Sequence, residues 1–228
     1  MEKLRKIVTL FDDYHSMLAD SVRMERYEKA IQEVVREGDV VVDLGAGLGI
    51  LSFLAVRAGA RKVYAIEKLD SIELARRVAA LNGVEDKIVF LRENSTDVTL
   101  PEKADVLISE TLGSFALEEN TLTFTIDARE RFLKPGGRML PEQIQLWLAP
   151  VEVPDTYAKM EFWKDVCGFD FSPARDEMTR KLLVEDVAPG DLLAEPARSA
   201  GVDLRTVSDA SLRHTVGFVV QRAGTLHG

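Results

Sequence analysis

Cysteine is almost missing from this chain: Cys167 is the only one in 228 residues. A single thiol excludes an intramolecular disulfide and fits a reducing, cytoplasmic setting. Its expected place is as a small side chain facing the core. No run of about 18 apolar residues occurs, so no membrane span is expected. The basic start Met-Glu-Lys-Leu-Arg-Lys leads into Phe-Asp-Asp-Tyr, not into an apolar stretch, and a secretory signal is not expected. His15, His214 and His227 are scattered without metal-ligand spacing, so no metal site is expected. Positive charge is in deficit, with 29 Lys and Arg against 38 Asp and Glu and a formal net charge of −9. Such a chain is a poor candidate for the phosphate backbone of a nucleic acid. Its negative field suits a cationic substrate instead.

Hydrophobic residues make up 46% of the sequence, enough for a core in one large domain or a domain with an appendage. Apolar positions at helical spacing from Met17 to Val35 predict a helix over 16–36, closed by Gly38. Short apolar runs predict strands at 39–43, 62–66, 87–91 and 105–109. Between them lie predicted helices at 50–58 and 71–81, the second with Ser71 as its N-cap. A further helix is predicted at about 121–132, a turn at Lys134–Arg138 and a fifth strand at Gln143–Ala149. Strands alternating with helices imply a parallel sheet covered on both faces, with right-handed crossovers. Beyond about Pro150 the pattern changes. Helices are expected at Tyr157–Cys167 and from Ser172 through Leu183, and an alternating strand at Leu212–Gln221.

The strongest local signal is Val-Val-Asp-Leu-Gly-Ala-Gly-Leu-Gly at 41–49, followed by Val-Tyr-Ala-Ile-Glu ending at Glu67. Gly45, Gly47 and Gly49 let the backbone turn tightly and approach a ligand. Glu67, at the end of the second strand, is placed to accept hydrogen bonds from ribose hydroxyls. A dinucleotide loop usually spaces its glycines G-x-G-x-x-G, with the helix N-terminus facing pyrophosphate. Here the spacing is G-x-G-x-G, and no phosphate-directed basic residue follows. Asp43, two residues before the first glycine, suits a ligand carrying a cation and no phosphate. S-adenosylmethionine is such a ligand. A dinucleotide and a purely structural turn are the alternatives.

The fourth strand ends at Glu110, and nine residues later comes Glu119, with Gly113 between them to fold the loop. Two carboxylates facing one pocket match the fork of donors on a guanidinium. They would concentrate charge on the two nitrogens they hold and free the lone pair of the third, aligned behind a methyl group. The alternative reading makes Glu118 and Glu119 solvated acids that open a helix and complement its dipole.

These residues resemble the protein arginine N-methyltransferases, a branch of the class I S-adenosylmethionine-dependent methyltransferases. The resemblance runs from about Met17 to the C-terminus. It rests on Met17–Arg23, Val42–Leu51, Ala58–Glu67, Ile108–Gly113 with Glu119, Leu133–Gly137 and Phe162–Asp170. It implies that Glu110 and Glu119 hold the substrate guanidinium, with Glu110 also reaching the cofactor, and that Met17 lies beside the reacting nitrogen. It implies that Arg23 binds the cofactor carboxylate and Glu67 the ribose, and that Ser95 and Thr96 contact the adenine. Lys68, Asp43 and the three glycines complete the implied cofactor set. It also implies a helical arm at about 157–193 that joins two subunits.

The fold expected is therefore α/β: a Rossmann-like methyltransferase sheet in residues 1–150, then a dimerisation arm and the start of a β-barrel in 151–228. The expected activity is methyl transfer from S-adenosylmethionine to an arginine of a protein or peptide. A methyltransferase acting on another nucleophile, and a catalytically degenerate cofactor-binding member, are the rival expectations.

Overall fold

The computed structural model describes residues 2–113, 115–116, 120–180 and 183–228. In chain order the elements are α1 (Glu2–Ala19), α2 (Ser21–Val34), β1 (Val40–Leu44), α3 (Ile50–Arg57), β2 (Lys62–Ile66), α4 (Ser71–Leu81) and β3 (Ile88–Leu91). There follow β4 (Ala104–Ser109), α5 (Thr121–Phe132), β5 (Leu133–Leu140), β6 (Gln143–Leu148), α6 (Pro154–Glu161), α7 (Ser172–Thr179) and β7 (Ala197–Asp203). Two compact units are formed, one from residues 1–144 with 203–210, the other from 145–202 with 211–228. Among the described residues no helix is long and apolar enough to cross a membrane.

In the first unit β1 to β5 form one parallel sheet in the order β3-β2-β1-β4-β5. A parallel strand in the middle of such a sheet is covered on both faces, so its residues are apolar in a run rather than alternately. β1 fits, with all five residues buried. One face carries Val41, Val63, Ala65, Ile88, Phe90, Val106 and Ile108, packed with Ile31 of α2, Leu54 and Ala55 of α3, and Ile72 and Ala75 of α4. α5 packs against β4 and β5 and buries Leu122, Ala128 and Phe132. Segment 203–210 is held to this unit by Arg129, whose Nη1 donates to the carbonyls of Leu204 and Val207, each at 2.8 Å.

In the second unit β6 and β7 form a two-stranded sheet, and α6 and α7 pack together. The final residues are pinned by Arg222, which donates to Glu152 Oε2 at 2.5 Å, and by His227, stacked on Tyr157 with ring centroids 4.5 Å apart.

Several elements differ from the sequence-based expectation. The helix expected at 16–36 is two helices, because Asp20 leaves the helical region (φ −70°, ψ 93°) and accepts the N–H of Arg23 at 3.0 Å, capping α2. Ser71 is not a cap; it is the first residue of α4, and Asp70 precedes it. The expected turn at 134–138 lies inside β5. Ala104 pairs with Leu133 and Val106 with Arg138, so the residues between bulge out of the ladder, with Gly136 at φ +73°. The strand at 143–148 pairs with β7 and takes no place in the parallel sheet. The helix expected at 157–167 ends in a 3-10 turn at Phe162–Lys164, and Cys167 is exposed rather than core-facing, at φ +57°. Ser172 begins α7, and its hydroxyl donates to Asp170 Oδ1 at 2.5 Å. Residues 212–221 form no regular strand, and β7 was not foreseen.

Candidate functional site

The sheet order reverses between β1 and β4: after β1 the chain moves outward through β2 and β3, and after β4 it moves the other way to β5. The crevice at such a reversal, beyond the carboxyl ends of the strands, is where ligands bind in open parallel sheets. A cavity of about 400 Å³ opens at this place. Its walls come from the ends of β1, β2 and β4 and from α1, α2 and the start of α5.

The glycine loop forms one wall. The N–H groups of Gly45 and Ala46 both donate to the carbonyl of Ile66, at 2.9 and 3.0 Å, which folds the loop over the end of β2. Gly45, Gly47 and Gly49 have φ of +75°, +54° and +84°, a region costly for residues with a Cβ. The neighbours add a second reason. A Cβ on Gly47 would meet the Tyr14 ring at 3.0 Å, and one on Gly45 would run into Thr111 Cγ2. Gly49 does not line the cavity; a Cβ there would press on the Phe53 ring and on Ala75 of α4, so its role is to let α3 pack.

Glu67 lies at the floor and is 8% exposed. Its Oε2 accepts the N–H of Gly47 at 3.1 Å and its Oε1 the N–H of Leu69 at 2.8 Å. A carboxylate offers about four acceptor positions, so two bonds fix its orientation and leave capacity for a pair of hydroxyls. Arg23 and Met17 reach the cavity from α2 and α1, Lys68 and Ser95 from the ends of β2 and the loop after β3, and Glu110 from the end of β4. The sequence-derived set thus converges for Met17, Arg23, Gly45, Gly47, Glu67, Lys68, Ser95 and Glu110.

Asp43 and Thr96 do not line the cavity, and Glu119 lies outside the described residues. Thr96 is exposed, with its hydroxyl turned to Asp97 at 3.4 Å. Asp43 is fully buried beneath the loop, on the same strand face as Val41, and its Oδ2 accepts the hydroxyl of Ser52 on α3 at 2.6 Å. Its Oδ1 is buried without a partner. Burial pushes the carboxyl up to about 6; the Ser52 bonds oppose this and the charge of Glu67 adds to it.

Such an acid holds its proton more tightly folded than unfolded. Its favourable contribution to stability is complete below its ordinary value of 3.8 and is lost as pH rises through about 6. Asp43→Asn should therefore gain on the wild type by about 2 kcal/mol between pH 4 and pH 8. Urea unfolding at the two pH values checks this, and a constant gap between the two proteins would contradict it.

Further polar and aromatic residues line the cavity beyond the sequence-derived set. Tyr14 and Tyr27 come from α1 and α2, and Glu93 and Asn94 follow β3. Only their position after a strand end could have signalled the last two. Tyr27 is held as a neutral phenol: burial pushes it up to about 12, with the charge of Glu110 adding and that of Arg23 opposing. Among the described residues no group of three His, Cys, Asp or Glu side chains could hold a metal ion.

Comparison with known proteins gives matches to both units. The family model of the TRM5/TYW2 methyltransferase domain matches residues 10–130, and that of the arginine methyltransferase oligomerization subdomain matches residues 142–228. The first span ends inside α5 and covers the strands that build the cavity. Matches to whole relatives run across both spans. The probable protein arginine N-methyltransferase 6 of Arabidopsis thaliana is 37% identical over 201 residues, covering 85% of this chain and 46% of that protein. Protein arginine N-methyltransferase 6 of Xenopus laevis is 34% identical over 228 residues, covering 94% of this chain and 67% of that protein. Among solved structures, the Trypanosoma brucei PRMT1 enzyme–prozyme heterotetrameric complex with AdoHcy is 30% identical with a TM-score of 0.78, covering 86% of this chain and 63% of that one. The chain spans roughly half to two thirds of the length of these relatives.

Proposed function

The chain belongs to the protein arginine N-methyltransferase family, and on that premise we propose that it transfers a methyl group from S-adenosylmethionine to a guanidinium nitrogen of arginine in a protein or peptide. The observation that carries this reading is that Glu110 shares one cavity with Gly45, Gly47 and Glu67. A carboxylate suited to a cationic acceptor therefore stands within the same walls as a loop and an acid suited to a nucleoside. The AdoHcy complex of the Trypanosoma brucei relative supports the donor assignment.

The residues present fit the donor. Glu67 has acceptor capacity left for the ribose hydroxyls, Arg23 offers a guanidinium to the amino-acid carboxylate, and the turn at Ser95 walls the purine side. The bare backbone at Gly45 and Gly47 admits the ligand where a side chain would collide with Thr111 or Tyr14. When bound, S-adenosylmethionine supplies a methyl group activated by a sulfonium.

The rest is done by the chain. Glu110 accepts N–H bonds from the acceptor guanidinium and draws its positive charge toward the nitrogens it holds. The remaining nitrogen becomes richer in electron density and is oriented by the same grip. Glu119 is assigned the second half of this grip. Met17 packs beside the reacting nitrogen. Tyr27, still protonated at neutral pH, adds no second anion next to Glu110. One proton is released for each methyl transferred, and the product guanidinium keeps its charge.

The test is transfer of a labelled methyl group to an arginine peptide, with the lysine version of the same peptide as control. Methylarginine in the hydrolysate is expected from the first peptide only. Label on the lysine peptide alone, or on neither in a protein that binds the donor, would overturn the acceptor assignment.

We further propose self-association through the arm at about 157–193. Support comes from the match to the oligomerization subdomain and from the apolar surface of Phe162 and Phe169, 58% and 69% exposed. Such large exposed aromatics mark contact surfaces.

A further inference from the structure

The cavity wall at Asn94 and Ser95 belongs to the loop after β3, in which Ser95 and Val98 are buried and Asn94 is exposed. The segment follows β3, forms two overlapping turns (Asp97 N–H to Asn94 O at 2.9 Å, Val98 N–H to Ser95 O at 3.3 Å) and then leaves toward β4. Carbonyls in a buried turn have no ladder partner and need a donor from elsewhere. The fixing group comes from α5. Arg131 Nη1 donates to Val98 O at 2.7 Å, and its Nη2 donates to Ser95 O.

Arg131 is itself held rigidly. Asp127, one helical turn earlier, accepts its Nε at 2.9 Å and its Nη2 at 2.6 Å. The guanidinium also lies over the Phe132 ring, 4.5 Å from its centroid. A planar fork with five donors can hold an acid and two carbonyls together, which an ammonium cannot. At the other end of the same helix, the Thr121 hydroxyl donates to Thr111 O at 2.6 Å, in the residue after Glu110.

From this geometry we infer that Arg131 is a positioning residue for the donor pocket, acting through the Ser95–Val98 turn without touching the ligand. The inference rests on the donor reading above and deepens it. The backbone next to Glu110 is held at Thr111 from the opposite end of α5, so losing Arg131 should loosen the donor wall and leave the acceptor side in place.

The experiment is calorimetric titration of S-adenosylhomocysteine into the wild type and Arg131→Met, with steady-state kinetics on an arginine peptide. About tenfold weaker binding is expected in Arg131→Met, with donor KM raised to match. Acceptor KM and the turnover at saturating donor should stay within about twofold. Arg138→Met, which removes the part-buried Arg138–Asp39 ion pair elsewhere on the first unit, controls for a merely structural loss. It should lower the melting temperature without weakening binding. Equal affinity in the wild type and Arg131→Met would overturn the inference, as would equal weakening in the control. No binding by the wild type would overturn the donor reading instead. If Arg131→Met does not fold, Arg131→Lys decides: a loss of at least about threefold is expected, and unchanged affinity counts against the assignment.

Discussion

Glu110→Gln is expected to lower turnover on arginine peptides by about 100- to 1,000-fold while leaving S-adenosylhomocysteine affinity within about tenfold of wild type. The substitution keeps the shape of the side chain and removes its charge. Glu110 stands at the end of β4, on the wall of a cavity whose donor side is built mainly from the glycine loop and Glu67. What is lost is thus an interaction with the cationic acceptor. If the carboxylate both binds the guanidinium and polarises it, kcat falls together with kcat/KM. A rise in acceptor KM alone would mean that Glu110 only binds, and the polarising role would fail. A spectroscopic signature accompanies the kinetic one. The charge of Glu110 is one of the causes that hold Tyr27 up at about 12, second to burial, so Tyr27 in the Gln variant should titrate lower. A ring-carbon signal followed by NMR to high pH reads this without any substrate present.

The part of the site that was legible in the sequence is the part made by short, strongly patterned runs. β1 and β2 are five-residue apolar strands, and the glycines and Glu67 follow them directly. Asp43 shows where the pattern fails. In a strand buried on both faces, apolarity does not say which way a given residue points, so an acid two residues before the glycines could face ligand or core. Only the third dimension places Ser52 of α3 against it. The break at Asp20 was hidden because Leu18 and Val22 keep helical spacing across it, and an Asp is as acceptable on a helix surface as at a cap. The bulge in β5 and a turn demand the same glycines, since both need left-handed backbone at Gly136. At 212–221 the alternation was real but insufficient: a strand needs a ladder partner, and Val219 and Val220 are both largely exposed. Arg131 was invisible for a different reason. Its pairing with Asp127 has ordinary helical spacing, but the partners through which it holds the turn are backbone carbonyls 33 and 36 residues away, and carbonyls have no sequence signature.

Gly45→Ala should cost about 100-fold in donor affinity and, unlike Glu110→Gln, should impair both substrates at once. Two effects combine at this position. The backbone is left-handed at φ +75°, where an alanine costs about 1–2 kcal/mol. The added methyl then meets Cγ2 of Thr111, so either the glycine loop or the residue next to Glu110 must move. Thr111 is not free to rotate away at no cost, since its hydroxyl lies 3.0 Å from Ser109 Oγ and its carbonyl accepts the Thr121 hydroxyl. Replacing Thr111 by Ser removes Cγ2 and keeps the hydroxyl. By itself Thr111→Ser should change donor affinity by less than about threefold. In the double variant it should restore about tenfold of what Gly45→Ala loses, leaving only the backbone term. The four proteins form a double-mutant cycle read by calorimetry. Additive losses would show that the two residues do not collide and that the loss comes from the backbone alone. A coupling near tenfold would show that the loop carrying the donor and the strand end carrying Glu110 are in steric contact through one methyl group, so that neither half of the cavity can shift without the other.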